Sequence, residues 1–493
     1  MSSQDQDPAA AEVEDIERVL YPTDAKHDLT NTLAPFLDLH MLFPLISHLE
    51  ENEMYPAEDL LDVKVQLLKP TNMIDYAIEI SGEEDEDLLA ARDQVFADLD
   101  ELEELSAPLR TVVDNEELYA ELDDAGNFTM PHLNAEFGVT ADVLEAYYRF
   151  GKFQYECGDY GSAWDFMATY RFLNKDMERN LVALWGQLAS GILLMQWEEA
   201  SRVNEEIKNV VDQREDRAAR SGGGVKFLEQ LQLRSWLLHW NLFILLKNET
   251  EMSSIDLVNF FLNKKYLNAI QTNCPWLVRY LAACTIMAKG LPLPEVPIEQ
   301  DENGKPVKKH LLPKNLIRKV IHIIKEEKSN YSDPITDFIE ALFVRFDFAA
   351  AQDCLEECAK LCATDFFLSG FRNTFLEAAR RLIFETHCRI HTTLSLQDVA
   401  TSLKMTDEEA ERWTVDLIRS ANLEAKIDSD AGAIVLTKDA PEVYQRIVDQ
   451  TKDLTYRSYQ VFNKIRHVKN KGGKGNNNKA ENDGSKQDYQ KQR

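Results

Sequence analysis

Three short segments of the chain share one local pattern, and that pattern restricts the fold more than any bulk property does. Gly158-Asp159-Tyr160-Gly161-Ser162-Ala163, Met195-Gln196-Trp197-Glu198-Glu199-Ala200 and Phe346-Asp347-Phe348-Ala349-Ala350-Ala351 each place an aromatic residue three positions before an alanine. Each follows a long apolar stretch of helical periodicity. An aromatic ring there fills the corner between two helices, and the alanine lets the second helix lie close to the first. Tyr160 and Trp197 are 37 residues apart, and Trp197 and Phe348 are 151 apart, close to four such periods. Recurrence at about 34–45 residues is the mark of stacked helix pairs. The spacing predicts a mainly α chain with an α-solenoid over 141–370.

The flanking regions read differently. Residues 1–25 are acidic and lack apolar periodicity, which predicts a disordered extension and no signal peptide. Residues 26–140 read as an N-terminal helical region. In it Leu33, Phe36, Leu37 and His40 lie on one helical face, Leu39, Leu42 and Phe43 widen it, and Pro44 should end or kink the helix. Residues 83–104 hold eleven Asp/Glu and one Arg, with Leu88, Leu89, Val95, Phe96, Leu99 and Leu102 among them and Leu105 directly after. That is an acidic solvated helix with an apolar stripe, or a docking face for a basic partner. Ser221-Gly222-Gly223-Gly224 is a linker with no strand before it, and 290–313, with five of the sixteen prolines, is a loop.

From 371 to 440 the pattern changes to three helices and a hairpin. A long helix runs to about His391, and Leu396–Leu403 forms a short one. Thr406-Asp407-Glu408-Glu409 is a capping box opening a third, with Ala410, Trp413, Leu417 and Ala421 on its buried face. Leu423–Asp428 and Ala433–Thr437 read as two strands around the turn Ser429-Asp430-Ala431-Gly432. Three helices and a hairpin make a winged helix. After Pro441 a long amphipathic helix runs over 441–468, and nothing following it can cover its apolar side. Residues 469–493 form a Gly/Asn/Lys-rich tail expected to be disordered. From Lys464 to Arg493 there are nine Lys/Arg against three Asp/Glu.

Composition and motifs argue against catalysis. The net charge of −31 makes the body as a whole a poor nucleic-acid binder, so RNA contact requires a local basic patch. The third winged-helix segment carries Asp407, Glu408, Glu409, Glu411 and Asp416 against Arg412 and Arg419, which opposes DNA binding. The seven cysteines show no C-x-x-C spacing and read as reduced thiols. No phosphate loop, nucleophile elbow or dinucleotide fingerprint occurs. His387 and His391 have zinc-ligand spacing, but Cys388 stands where a metalloprotease would carry its glutamate. Both histidines, and the stripe Cys354, Cys358, Cys362, are expected to pack in cores. The most apolar stretch, Ser235–Leu246, is too short and polar to span a membrane. No catalytic residue, metal or cofactor is expected.

Helical repeat, winged helix and terminal helix in that order resemble the PCI architecture, with its TPR/HAT-like helix pairs, of proteasome-lid, COP9-signalosome and translation initiation factor 3 subunits. Particular stretches are similar to the family of e subunits of eukaryotic translation initiation factor 3. In the first half these are His27-Asp28-Leu29-Thr30, Phe36-Leu37-Asp38 with His40, Phe43-Pro44-Leu45 and Lys152-Phe153-Gln154-Tyr155-Glu156-Cys157-Gly158. Tyr266-Leu267-Asn268-Ala269-Ile270-Gln271-Thr272 and Asp333-Pro334-Ile335-Thr336 follow. In the last part come Phe384-Glu385-Thr386, Cys388-Arg389-Ile390-His391, Glu408-Glu409-Ala410-Glu411-Arg412-Trp413 and Ala425-Lys426-Ile427-Asp428-Ser429. The likeness spans residues 27 to 465. The acidic extension, the 83–104 run and the basic tail depart from the family pattern.

The resemblance implies a non-catalytic cytoplasmic scaffold in the PCI/MPN core of that factor. The core binds the small ribosomal subunit and promotes recruitment of initiator tRNA and mRNA. It implies that the winged helix joins an arc of PCI subunits, that the last helix joins a helical bundle, and that the d subunit is a neighbour. The expected subunit interface is Leu423, Lys426, Ile427, Ile434 and Leu436 on the hairpin, with Ile447, Leu454 and Phe462 on the helix. Two alternatives stay open. One is a PCI scaffold of the proteasome lid or COP9 signalosome. The other is an RNA-binding module, touching mRNA or rRNA through the basic tail.

Overall fold

The computed structural model describes residues 27–465 except 83–85, 222–226, 249–252, 291–298, 301–305, 308–315, 392, 396, 398–405, 421–424, 429–432, 437–443, 445–446, 449–450, 453, 456 and 463–464. The expected disorder at 1–25 and 469–493, the linker glycines and most of the short second helix of the winged module lie outside the described residues. The chain divides into two units. One runs through Ile390 and includes Gln397–Trp413; the other comprises His391–Leu396 and the chain from Thr414.

The first unit is helical almost throughout. From Ala141 its helices follow in pairs: Ala141–Glu156 with Tyr160–Leu173, Met177–Leu193 with Trp197–Ser221, Phe227–Leu246 with Ser253–Phe261, and, at the end, Phe348–Thr364 with Arg372–Ile390. Side chains cap many of their starts. Asp38, Thr140, Asp159, Asp176, Asn263, Asp333 and Asp347 each accept a backbone N–H of the first turn. The expected loop at 290–313 contains only a two-residue antiparallel ladder, β1 (Glu299–Gln300) with β2 (Pro306–Val307), among its described residues.

The repeated motif takes the same form at all three sites. Tyr160, Trp197 and Phe348 are each the first residue of a helix. Ala163, Ala200 and Ala351 have no exposed surface. Two positions before each aromatic the backbone is left-handed, at Gly158 (φ 90°), Met195 (φ 56°) and Phe346 (φ 54°). The next N–H then reaches back to the preceding helix, Asp159 to Gln154 at 2.9 Å, Gln196 to Gly191 at 3.0 Å and Asp347 to Ala341 at 3.0 Å. The third reach is one residue longer because Ala341–Arg345 is a π-turn. Gly191 allows the close approach that follows. A Cβ there would lie 2.6 Å from the Trp164 ring and 3.4 Å from Ala200.

Residues 26–140 do not form a core of their own. Leu29, Leu33, Met41, Leu42, Ile46 and Leu67 share one apolar cluster with residues as distant as Phe375 and Ile383. A second cluster joins Leu109 and Val112 to Tyr147, Met167 and Tyr170. The first expected helix is also interrupted. Thr30–Leu33 gives way to a 3-10 turn, Ala34–Phe36, and a new helix, Leu39–Glu51, starts at the Asp38 cap. Pro44 lies inside that helix and does not end it. Well past the cap, it removes only the bond that its missing N–H would have made to His40.

Three buried joints fix this N-terminal segment. The Phe36 ring stacks on His239 (4.4 Å, 4°), and its carbonyl accepts the Trp240 indole N–H at 3.0 Å. The Ser235 carbonyl, 2.7 Å from Nδ1 of His239, keeps the proton on that nitrogen. Nε2 is left to accept the Trp276 indole N–H at 3.1 Å. Burial pushes His239 down to about 4. In the second joint Asp38, besides capping, accepts the Tyr155 hydroxyl at 2.5 Å, while His40 Nδ1 meets the Tyr160 hydroxyl at 3.0 Å. Burial lowers the His40 pKa, with Asp38 opposing. Gly158, φ 90°, sits beside Met73, where a Cβ would come within 3.2 Å of Cε.

The third joint is a buried ion cluster. Arg279, 2% exposed, donates to Asp333 (2.9 Å), Asp365 (3.0 Å), the Tyr331 hydroxyl (3.0 Å) and the His27 carbonyl (2.8 Å). The Tyr280 hydroxyl donates to Asp365 at 3.1 Å. Asp333 also caps Pro334–Glu340 through Thr336, and Asp365 accepts the amides of Phe367 and Leu368. One guanidinium therefore links the N-terminal segment to two helix junctions far along the chain. The attraction of the two carboxylates and the tyrosine oxygens outweighs burial and keeps it charged.

Candidate subunit interface

The capping box that opens the third helix is formed. Thr406 N–H meets Glu409 Oε2 at 3.2 Å, and Glu409 N–H meets Thr406 Oγ1 at 3.4 Å. The reciprocal bonds lower the Glu409 pKa. The helix spans Asp407–Ser420, with Ala410 fully buried and Trp413 edge-on to Phe384 at 5.7 Å.

In the second unit the hairpin gains a strand that residue patterns do not reveal. β3 (Thr393–Ser395) pairs with β5 (Ala433–Leu436), which pairs on its other side with β4 (Ala425–Asp428). The register aligns Leu394, Ile434 and Ile427 in one row, and Thr393, Val435 and Lys426 in the next. A three-residue strand of Thr, Leu and Ser directly after a long helix carries too short an alternation to stand out. Among the described residues β5 is paired on both sides, so β4 keeps the open edge on the hairpin side.

This arrangement sorts the expected hairpin residues. Ile434 has no exposed surface and Leu394 is 6% exposed, so Ile434 is a core position of the sheet. Lys426 and Ile427 lie on the edge strand β4, and Leu436 ends β5. Leu423 lies outside the described residues. Val435, absent from the expected interface, is 41% exposed.

The described positions between 444 and 465 are helical. Ile447, Leu454 and Phe462 are 54%, 62% and 59% exposed. Tyr444, Val448, Tyr459, Val461 and Ile465 are exposed as well. Their spacing is a heptad. Ile447, Leu454 and Val461 recur every seven residues, and so do Tyr444, Thr451, Ser458 and Ile465. The first series is spaced three residues after the second, which is the a/d seam of a coiled coil. Thr451 and Thr455 turn their hydroxyls onto the carbonyls of Ile447 and Thr451 at 2.6 and 2.7 Å. They therefore add no unsatisfied hydroxyl to the seam.

The residues weighed as metal ligands pack elsewhere. Cys358 and Cys362 are fully buried in Phe348–Thr364, and burial raises both thiols, Cys362 to about 12. Cys354 is half-buried. The His387 ring centroid is 3.7 Å from that of Phe348, whereas His391, expected in a core, lies past the helix end at Ile390 and is exposed. Among the described residues no group of three or more His, Cys, Asp or Glu could hold a metal ion. Nor is any described helix long and apolar enough to cross a membrane.

Comparison with known proteins agrees with this organisation. Residues 28–154 match the family described as eIF3 subunit 6 N terminal domain, and residues 355–438 match the PCI domain. The first match takes in Phe36 and Asp38 and ends one residue before Tyr155. The second reaches from the last helix pair through the hairpin. The chain is 35% identical over 456 residues to the e subunit of eukaryotic translation initiation factor 3 of Arabidopsis thaliana, covering 89% of this chain and 96% of the relative. It is 32% identical over 441 residues to the protein of the same name from Yarrowia lipolytica, covering 89% and 99%. Against that of Aspergillus fumigatus it is 36% identical over 439 residues, covering 88% and 92%. A solenoid, a PCI module and relatives matched along nearly their whole length lead to one assignment: the chain belongs to the family of e subunits of eukaryotic translation initiation factor 3.

Proposed function

We propose that the chain is a non-catalytic scaffold subunit of translation initiation factor 3 and joins its neighbours through its C-terminal third. The observation that carries this is the set of exposed apolar residues between 444 and 465, with Ile447, Leu454 and Val461 at heptad spacing. Aliphatic and aromatic side chains at that spacing bind partner helices by knobs-into-holes packing. The open edge of β4, with Lys426, Ile427 and Leu436 nearby, offers a second contact by strand pairing with another winged helix. Leu423 belongs to the same proposed surface. On this reading the other PCI/MPN subunits and the d subunit are partners, and the chain acts in the cytoplasm. The assembly binds the small ribosomal subunit and promotes initiator tRNA and mRNA recruitment.

The test is purification of N-terminally tagged chain from cells, wild type beside Ile447→Glu/Leu454→Glu/Phe462→Glu. Wild type should bring down the other factor subunits and co-sediment with small ribosomal subunits. The variant should keep its melting temperature and lose them. Normal recovery by a folded variant would remove the helix from the interface. Recovery of proteasome-lid or signalosome subunits by wild type would overturn the assignment.

A further inference from the structure

The helix Leu316–Glu327 stands out electrostatically in an acidic protein. The stretch 305–328 contains eight Lys/Arg and two Asp/Glu, while the whole chain has 54 against 85. The helix buries Leu316, Val320, Ile323, Ile324 and Glu327. Its opposite face presents Arg318, His322 and Lys325 at i, i+4 and i+7, with Lys319 beside them, all exposed. Three of these four basic residues have no ion-pair or hydrogen-bond partner among the described residues: Arg318, Lys319 and Lys325. Several bases elsewhere in the first unit are matched, as in Lys64–Glu50, Arg110–Glu103, Arg171–Glu206, Arg214–Glu178 and Lys289–Glu385.

Of the four strip residues only His322 meets an acid, Glu326. Glu326 is engaged by His322 and by Gln271, and Glu340 by Lys328 and Arg345. No large apolar residue of this helix is exposed; Ile317 and Ile321 are half-buried. That absence selects the partner. A protein ligand is normally anchored by a buried apolar or aromatic contact at the centre of its interface. A phosphate backbone needs charges and donors alone. We infer that Arg318, Lys319, His322 and Lys325 form a sequence-independent contact for the phosphate backbone of RNA. The inference goes beyond the scaffold reading and does not depend on it.

The experiment is fluorescence anisotropy of a labelled twenty-nucleotide oligouridylate with full-length chain over a range of salt. It compares wild type, Arg318→Glu/Lys319→Glu/Lys325→Glu, the milder Arg318→Gln/Lys319→Gln/Lys325→Gln, and a chain lacking 464–493. All substituted positions are exposed, so melting temperatures should match wild type. Charge reversal should weaken binding at least tenfold, with and without the tail. The glutamine variant should lower the slope of log K against log salt by about 2, since each phosphate contact on a single strand contributes about 0.7. Unchanged affinity in the folded triple variants, or binding lost only with the tail, would overturn the proposal. Competition by polyglutamate as effective as by RNA would also overturn it, in favour of an acidic protein partner.

Discussion

The N-terminal segment at 27–68 and the C-terminal helix at 444–465 are both apolar, but they end up in opposite environments. Met41, Leu42, Ile46 and Leu67 are each at most 1% exposed, while Ile447, Leu454 and Phe462 are all more than half exposed. The first segment also carries polar groups matched to partners in its own chain: the Phe36 carbonyl, Asp38, His40 and the His27 carbonyl. The second presents exposed apolar side chains, with Ile447, Leu454 and Val461 at heptad spacing. A segment that meets specific hydrogen-bond partners at home is built for the fold. One that offers repeated apolar knobs is built for helices of other chains. Substitutions in the first should cost stability, and substitutions in the second should cost assembly.

Arg279→Ala tests the first half of that contrast most severely. It leaves Asp333 and Asp365 buried without their cation, and should destabilise by about 3–5 kcal/mol in chemical denaturation. Hydrogen exchange should rise first near His27–Thr30. A loss below about 1 kcal/mol, well short of the usual cost of an unpaired buried charge, would show that the N-terminal segment holds without the cluster.

Acid should act next, through His239. Its folded pKa of about 4 lies below the ordinary 6.5, so the folded state favours the neutral ring. Its contribution is fully present above pH 6.5 and is lost as pH falls from 6.5 to about 4, amounting to at most about 3 kcal/mol. His40, shifted the same way, adds to the loss. Melting curves across this range should show the decline, and a His239→Gln chain should show a shallower one.

Asp38→Ala removes a cap and the acceptor of the Tyr155 hydroxyl, and should cost about 1–2 kcal/mol. Met195→Gly relieves a left-handed side-chain position, and should raise stability by about 0.5 kcal/mol once the extra freedom of glycine in the unfolded chain is subtracted. The smallest effect should come from Ile447→Glu/Leu454→Glu, within about 0.5 kcal/mol of wild type in the isolated protein. A large loss there would mean that this helix supports the fold, and the comparison would fail.

Much of the architecture was legible in residue patterns because it depends on local periodicity. The aromatic–alanine spacing located three helix corners, Thr406 and Glu409 located a helix start, and the alternation at 425–436 located the hairpin. The left-handed turn two residues before each aromatic was visible only at Gly158. Met195 and Phe346 give no sign of it, since their conformation is imposed by the helices on either side. In the candidate interface, Ile447, Leu454 and Phe462 stood out as apolar positions of an amphipathic last helix, and all three are exposed. Ile434 looked equivalent and is buried, because β3, too short to register, closes the sheet beside it.

The sequence by itself determined the helix pairs, the Thr406 cap, the winged module and the amphipathic character of the last helix. These follow from contacts spanning a few residues, which composition and spacing encode directly. Tertiary structure alone decided that the N-terminal segment shares the solenoid core, and that Arg279 gathers His27, Asp333 and Asp365. Those partners are separated by 252, 54 and 86 residues of chain, so no local period links them. A lone arginine in an apolar helix acquires its meaning only when the fold places carboxylates around it, because a buried cation is stable only where such partners converge.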